Sequence, residues 1–253
     1  MKLLFTKLHP WMYNGTTSVG VVFYYERLSR QDMLIYHGSD HIIEKPIYHG
    51  GKSNNDYGYG FYCTEHPDMA REWSVSDNRA GYVNQYETDE SGLTILYLDE
   101  YPILTWLTIL LENRVFRLDS PLAREASAYL KKEFRIPYES YDIINGYRAD
   151  DSYFSFAQDF INGTISLTQL NKAMKLGKLG KQVVLMSRRA FSATTFAGVE
   201  EVDPLVWYPK RKKRDEKARA DYFSMDRMGY VRGDIYITRI LDEEMKRDDA
   251  RLQ

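Results

Sequence analysis

Two stretches decide the fold reading: Leu34-Ile35-Tyr36-His37-Gly38-Ser39 and Asp56-Tyr57-Gly58-Tyr59-Gly60-Phe61-Tyr62-Cys63-Thr64. Each reads as a short strand with glycines beside it. Each sets one distinctive side chain, His37 or Tyr62, where an apolar run meets a turn. Gly58 and Gly60 allow unusual backbone dihedrals or a close approach of a ligand to the main chain. Neither stretch alone specifies chemistry. A lone Tyr-His-Gly-Ser equally fits a structural histidine, and a lone Gly-Tyr-Gly-Phe-Tyr fits an aromatic-rich turn.

Around these stretches the chain divides into short elements. Met33 to Tyr36 is the first strand. A loop with Pro46, Gly50 and Gly51 leads to the turn residues Asn54-Asn55-Asp56. Phe61 to Thr64 is the second strand. Thr64 or His66 can cap the following helix, and Pro67 suits its first turn. Met69, Ala70 and Trp73 recur at helical spacing, which packs that helix on the sheet. Residues 78–92 are polar and read as a loop. Leu93 to Leu98 is a strand, and Ile103 to Asn113 is a helix apolar on nearly every face.

Ser120-Pro121 opens a helix with Leu122, Ala126, Tyr129 and Leu130 as its stripe. Tyr141 to Tyr147 is a strand. Arg148-Ala149-Asp150-Asp151-Ser152 then leads into a helix carrying Tyr153, Phe156, Ala157 and Phe160. Ser166 with Gln169 matches a capping box. Residues 177–180 form a turn, and Gln182 to Met186 is a strand. Strands and helices interleave irregularly, and no Gly-x-Gly-x-x-Gly opens a helix. The fold class is therefore α+β rather than a doubly wound sheet.

The two ends differ from this core. Residues 1–30 read as an N-terminal extension or added strands, with a β-type run at Val19 to Tyr25. Residues 31–208 form the main domain. Residues 209–253 form a basic helical appendage packed on it, with seven basic and two acidic residues between 210 and 219 and a helix from Ala218. The basic run reads as a solvated helix face, with binding to a phosphate backbone as its functional counterpart.

Composition narrows the classes. The 253 residues include 43% apolar side chains, enough for a core, and 21 tyrosines. Tyrosine suits both half-buried packing and a cleft that stacks on flat ligands. A net charge of −2 gives no global field for nucleic acid. The single Cys63 excludes an internal disulfide framework and a cysteine zinc site, and it reads as a buried filler. The histidines have no metal-ligand spacing, so no metal is expected. The apolar run at Met1 to Phe5 is too short for a signal peptide core, and 103–111 is too short for a membrane span. The expectation is a cytoplasmic protein without a membrane partner.

His37-Gly38-Ser39, Gly58-Tyr59-Gly60-Phe61-Tyr62 and Gly180-Lys181-Gln182-Val183-Val184-Leu185, in this order, resemble the three signatures of the ADP-ribosyltransferase superfamily, in its His-Tyr-Glu branch. Residues 33–245 are most similar to a bacterial family of that superfamily, DUF3990. The resemblance implies a split β-sandwich with flanking helices and NAD between its half-sheets. It implies that His37 bonds a ribose hydroxyl, that Gly38 holds the nicotinamide amide through its backbone, with Ser39 and Gly60 beside them, and that Tyr62 stacks on nicotinamide. Where the best-known members carry Glu, this chain has Gln182. A glutamine can bond the ribose, but it brings no charge and is no base.

Tyr147-Arg148-Ala149-Asp150-Asp151-Ser152-Tyr153-Phe154-Ser155-Phe156 also looks like a signature of that bacterial family. Asp150 and Asp151 are then candidates to take a proton from the acceptor, against the plain reading of an N-terminal helix cap. Arg148 is a candidate for the NAD diphosphate, with pairing to a neighbouring acid as the alternative. The expected function is NAD-dependent mono-ADP-ribosyl transfer to a macromolecular acceptor, protein ahead of nucleic acid. A non-catalytic NAD-binding module and a nucleic-acid-associated protein using 210–219 are the alternatives.

Overall fold

The structure, a computed structural model, describes residues 32–149, 151–174, 181–224 and 232–252, with the backbone alone at 151–153. The expected strand run at 19–25 and the turn at 177–180 lie outside the described residues. So do the Asp150 and Asp151 side chains. From Asp32 onward the chain forms one unit.

Two sheets carry the site. Strands β1 (Asp32–Ser39), β3 (Gly81–Asp89) and β7 (Thr194–Val202) form an antiparallel sheet in the order β1-β3-β7. Strands β2 (Phe61–Cys63), β6 (Lys181–Leu185), β5 (Ile143–Tyr147) and β4 (Ile95–Tyr97) form the second, in the order β2-β6-β5-β4. Only the β4–β5 pairing is parallel there. The Tyr36 N–H donates to the Thr64 carbonyl at 2.8 Å, and the Thr64 N–H returns a bond to the Tyr36 carbonyl at 2.9 Å. These two bonds tie β1 to the end of β2.

Period-two alternation explains how the sheets pack. Met33 and Ile35 of β1 and Tyr86 of β3 meet Phe61, Cys63, Ile143, Val183 and Leu185 of the second sheet in one buried cluster. The intervening Ile144 and Val184 point to the opposite face, into the larger helical core. β6 is thus buried on both faces and reads as the unbroken run Val183-Val184-Leu185.

Helix α1 (Pro67–Ser74) lies on the first sheet, where Ala70 packs with Val83 and Val202. Helices α2 (Ile103–Asn113), α3 (Pro121–Glu133), α4 (Asp151–Ile161) and α5 (Leu167–Ala173) cover the second. All of 103–111 is buried, as a helix apolar all round requires. Ser120 Oγ accepts from the Ala123 N–H at 3.0 Å and caps α3. The Ser166–Gln169 capping box opens α5 with both its bonds in place. After α6 (Arg188–Ser192) and β7 come α7 (Pro204–Ser224) and α8 (Ile237–Asp242). Among the described residues the architecture is mixed α and β, with eight α-helices and two open sheets.

Two expectations need correction. The polar segment 78–92 holds β3, the middle strand of its sheet. Its inward positions include polar residues, each with a partner. Asn84 Oδ1 accepts from the Ile43 N–H at 2.8 Å, the Tyr86 hydroxyl donates to the Ile43 carbonyl, and Thr88 and Thr194 share a 2.9 Å bond. Satisfied polar groups can fill a core position and hide the apolar alternation.

The basic helix starts at Pro204, not at Ala218. Its inward stripe is Trp207, Arg211, Arg214, Ala218 and Tyr222, so two arginines occupy positions where apolar residues mark a stripe. Arg214 Nε pairs with Glu72 of α1 at 2.6 Å, and Arg211 donates to the Val75 carbonyl at 3.1 Å. The Tyr222 ring lies tilted against Phe156 with centroids 3.8 Å apart, and its hydroxyl donates to Asp159.

Candidate functional site

A cleft of about 630 Å³ opens where β1 and β2 run side by side. Its lining gathers His37 and Gly38 from β1, Gly60, Phe61 and Tyr62 at β2, Arg148 after β5, and Gln182 of β6. Six of the residues singled out in the sequence, His37, Gly38, Gly60, Tyr62, Arg148 and Gln182, therefore line one cavity. The first and last of them are 145 positions apart in the chain, at 37 and 182.

His37 is held on two sides. Its Nδ1 lies 2.7 Å from the Tyr62 carbonyl oxygen, which can only accept, so Nδ1 carries the hydrogen. Its ring stacks on Phe61 with centroids 4.4 Å apart. Burial pushes the imidazole below its ordinary value of 6.5, with the Tyr62 carbonyl pulling the other way. A neutral ring bound through Nδ1–H offers Nε2 as a hydrogen-bond acceptor.

Tyr62 is fixed by its hydroxyl. It donates to the Gly58 carbonyl at 2.7 Å and accepts from the Tyr57 N–H at 3.0 Å. Gly58 adopts φ +74°, a conformation that favours glycine, and this brings its carbonyl to the phenol. Tyr57 is fully buried, and its own hydroxyl donates to the Tyr147 carbonyl at 2.6 Å. The Tyr62 ring is thus clamped before any ligand arrives.

Helix packing accounts for the glycine at position 38. A Cβ there collides with the Ala70 carbonyl of α1, so helix packing requires the glycine. Ser39 is not among the cleft-lining residues. Its Oγ accepts from Asn84 Nδ2 at 3.0 Å and donates to the His41 carbonyl, which anchors the loop after β1. Arg148 sits with its guanidinium 4.2 Å from the Trp73 ring centroid. Asp150 and the Asp151 side chain lie outside the described residues, and the adjoining Ala149 lines the cleft.

The residue that sequence reasoning missed is Asp56. In sequence it looks like a turn residue, yet it is only 6% exposed and lies among the cleft residues. One oxygen takes Arg114 at 2.8 Å; the other takes the Ala149 N–H at 2.8 Å and Gln182 Nε2 at 3.0 Å. Burial raises its carboxyl above the ordinary 3.8, against the opposing pull of Ala149, Gln182, Arg114 and Arg148. Gln182 also donates to the Tyr147 carbonyl at 3.0 Å.

Charge in the cleft runs opposite to charge on the chain. Lys45, Arg114, Arg148 and Arg211 line it, with Asp56 as the acid among the described lining residues. That balance favours an anionic ligand. Among the described residues, no group of three or more His, Cys, Asp or Glu side chains is placed to hold a metal, and no helix is long and apolar enough to cross a membrane.

Comparison with known proteins finds no matching curated protein and no matching solved structure. A family described as "Protein of unknown function (DUF3990)" matches residues 33–196, more than half of the chain. The match takes in His37, Asp56, Tyr62, Arg148 and Gln182 and ends before α7, which brings Arg211. With its cleft residues, Arg211 apart, spread along that match, the chain belongs to the DUF3990 family.

Proposed function

We propose that this protein is a mono-ADP-ribosyltransferase that uses NAD as donor and acts on a macromolecular acceptor. The observation that carries the reading is the convergence on one cleft of His37, Tyr62 and Gln182, the residues to which the resemblance gives parts in NAD recognition. The cleft's cations supply a second argument. Arg148 and Arg211 suit the diphosphate of a dinucleotide, and a planar guanidinium matches phosphate oxygens well.

In this reading His37 Nε2 accepts from a ribose hydroxyl, and the clamped Tyr62 ring packs on the nicotinamide. Gln182 has committed both amide hydrogens, so its Oε1 accepts from the ribose next to the reacting carbon. The bond between ribose C1′ and the nicotinamide nitrogen breaks, and its electron pair leaves with neutral nicotinamide. The acceptor nucleophile then bonds to C1′ and gives up a proton, for which Asp150 and Asp151 are the candidate bases. Fixed dipoles around the cationic ribose lower the barrier without reorganising.

A second reading, NAD binding without turnover, draws on the neutral amide of Gln182. Calorimetric titration with NAD tests the shared premise. Saturable binding that weakens in His37→Ala and Arg148→Ala is expected, and absence of NAD binding to the folded wild-type chain sinks both readings. Free nicotinamide separates them.

A further inference from the structure

We infer that Asp56 is the positioning carboxylate of this site, aiming the Gln182 amide and supplying the negative charge that the amide lacks. The inference rests on the ADP-ribosyl transfer reading above.

Gln182 Nε2 has two hydrogens, and they go to Asp56 at 3.0 Å and to the Tyr147 carbonyl at 3.0 Å. Both partners are pure acceptors. A flipped amide would set Oε1 against two oxygens, so the orientation is fixed with Nε2 inward. Oε1 is left to the cleft that Gln182 lines. Asp56 is itself fixed by the Ala149 N–H and by Arg114 on its other oxygen.

The same geometry explains why glutamine stands here. A glutamate at 182 would place a carboxylate oxygen where Nε2 now lies, against Asp56 and the Tyr147 carbonyl. Two carboxylates at that distance do not both ionise readily. The charge a glutamate would bring sits instead one hydrogen bond behind Gln182, on Asp56. From there, with Asp56 and Gln182 both buried, it polarises the amide toward Oε1, and that field acts on a cationic ribose. The charged or titratable groups around Asp56 are Arg114, Arg148, Tyr57 and Tyr62.

Three variants test this: Asp56→Asn, Gln182→Glu and the double exchange Asp56→Asn/Gln182→Glu. Each is measured for NAD affinity by calorimetry, for free nicotinamide release and for thermal unfolding at several pH values. Asp56→Asn is expected to bind NAD nearly as wild type and to release nicotinamide about a hundredfold more slowly. Gln182→Glu is expected to lose release and to unfold at lower temperature, more so at alkaline than at mildly acidic pH, where one carboxyl takes a proton. The double variant moves the charge to position 182 and is expected to recover at least about tenfold over the weaker single variant.

A purely structural Asp56 would give no recovery, and release from Asp56→Asn equal to wild type would overturn the inference. If wild type itself releases no nicotinamide, the transfer reading fails. The Asp56–Gln182 arrangement is then judged by unfolding alone: pH-dependent loss in Gln182→Glu regained in the double variant upholds the positioning, and no regain overturns it.

Discussion

His37 donates its Nδ1 hydrogen to the Tyr62 carbonyl oxygen at 2.7 Å, so the residues that carry the two clearest sequence signals hold each other across β1 and β2. The bond fixes the tautomer of one and passes through the backbone of the other. It also makes a pH prediction possible. Folding depresses the His37 value below 6.5, mainly by burial. The unfolded chain therefore binds more protons as pH falls below that value, so the His37 contribution to stability is complete above pH 6.5 and is lost as pH falls through the folded value. Nitrogen-resolved NMR is expected to show an Nδ1–H tautomer titrating below 6.5, and an Nε2–H tautomer or a higher value contradicts this.

Gly38→Ala places a methyl against the Ala70 carbonyl of α1. Backbone cannot yield as a side-chain tip does, so the variant is expected to lose roughly 1–3 kcal/mol in urea unfolding. An unchanged unfolding midpoint contradicts the packing explanation of this glycine.

Tyr62→Phe keeps the ring and removes the hydroxyl that serves Gly58 and Tyr57. Leaving the Tyr57 N–H without its acceptor costs about 1–3 kcal/mol. The expected result is lower stability with NAD affinity largely kept, whereas Tyr62→Ala loses both. Calorimetry paired with denaturation separates the two effects.

Glu72 and Arg214 join α1 to α7 at 2.6 Å, with side chains only 11% and 15% exposed. Removing Arg214 takes this cation from the buried Glu72, at a cost on the order of 3 kcal/mol, whereas removing Glu72 leaves Arg214 with Asp215 at 3.3 Å and costs less. The double alanine variant is expected to cost less than the sum of the singles, read from a double-mutant cycle in urea.

Much of this architecture was legible because it follows from local rules. The α2 helix at 103–113 is apolar on every face, and the Ser166–Gln169 box announces its own helix start. The strands bearing His37, Tyr62 and Gln182 are apolar runs beside glycines. What stayed hidden depends on partners far along the chain. Asp56 looks like any turn acid until Ala149 and Gln182 meet it, and nothing within a few residues of it signals burial. Asn84 and Thr88 make β3 look like a loop because their partners lie on other elements. In α7, Arg211 and Arg214 read as solvated charge, yet one lines the cleft and the other anchors the helix.

That contrast yields a prediction for the basic segment. Arg211→Ala removes a cleft cation and is expected to weaken NAD binding roughly tenfold. Lys213→Ala, on the exposed face of the same helix, is expected to leave it unchanged. Equal effects from both would point to a diffuse field instead of a contact.

The central claim is that NAD yields ADP-ribose in this cleft. Its most direct test is intact and peptide mass spectrometry after incubating the protein with NAD and a cell lysate, with free nicotinamide measured alongside and His37→Ala run in parallel. The account predicts released nicotinamide together with covalent ADP-ribose on an acceptor, both lost in His37→Ala. Bound NAD with neither product in any lysate fraction, or products that persist in His37→Ala, would contradict it.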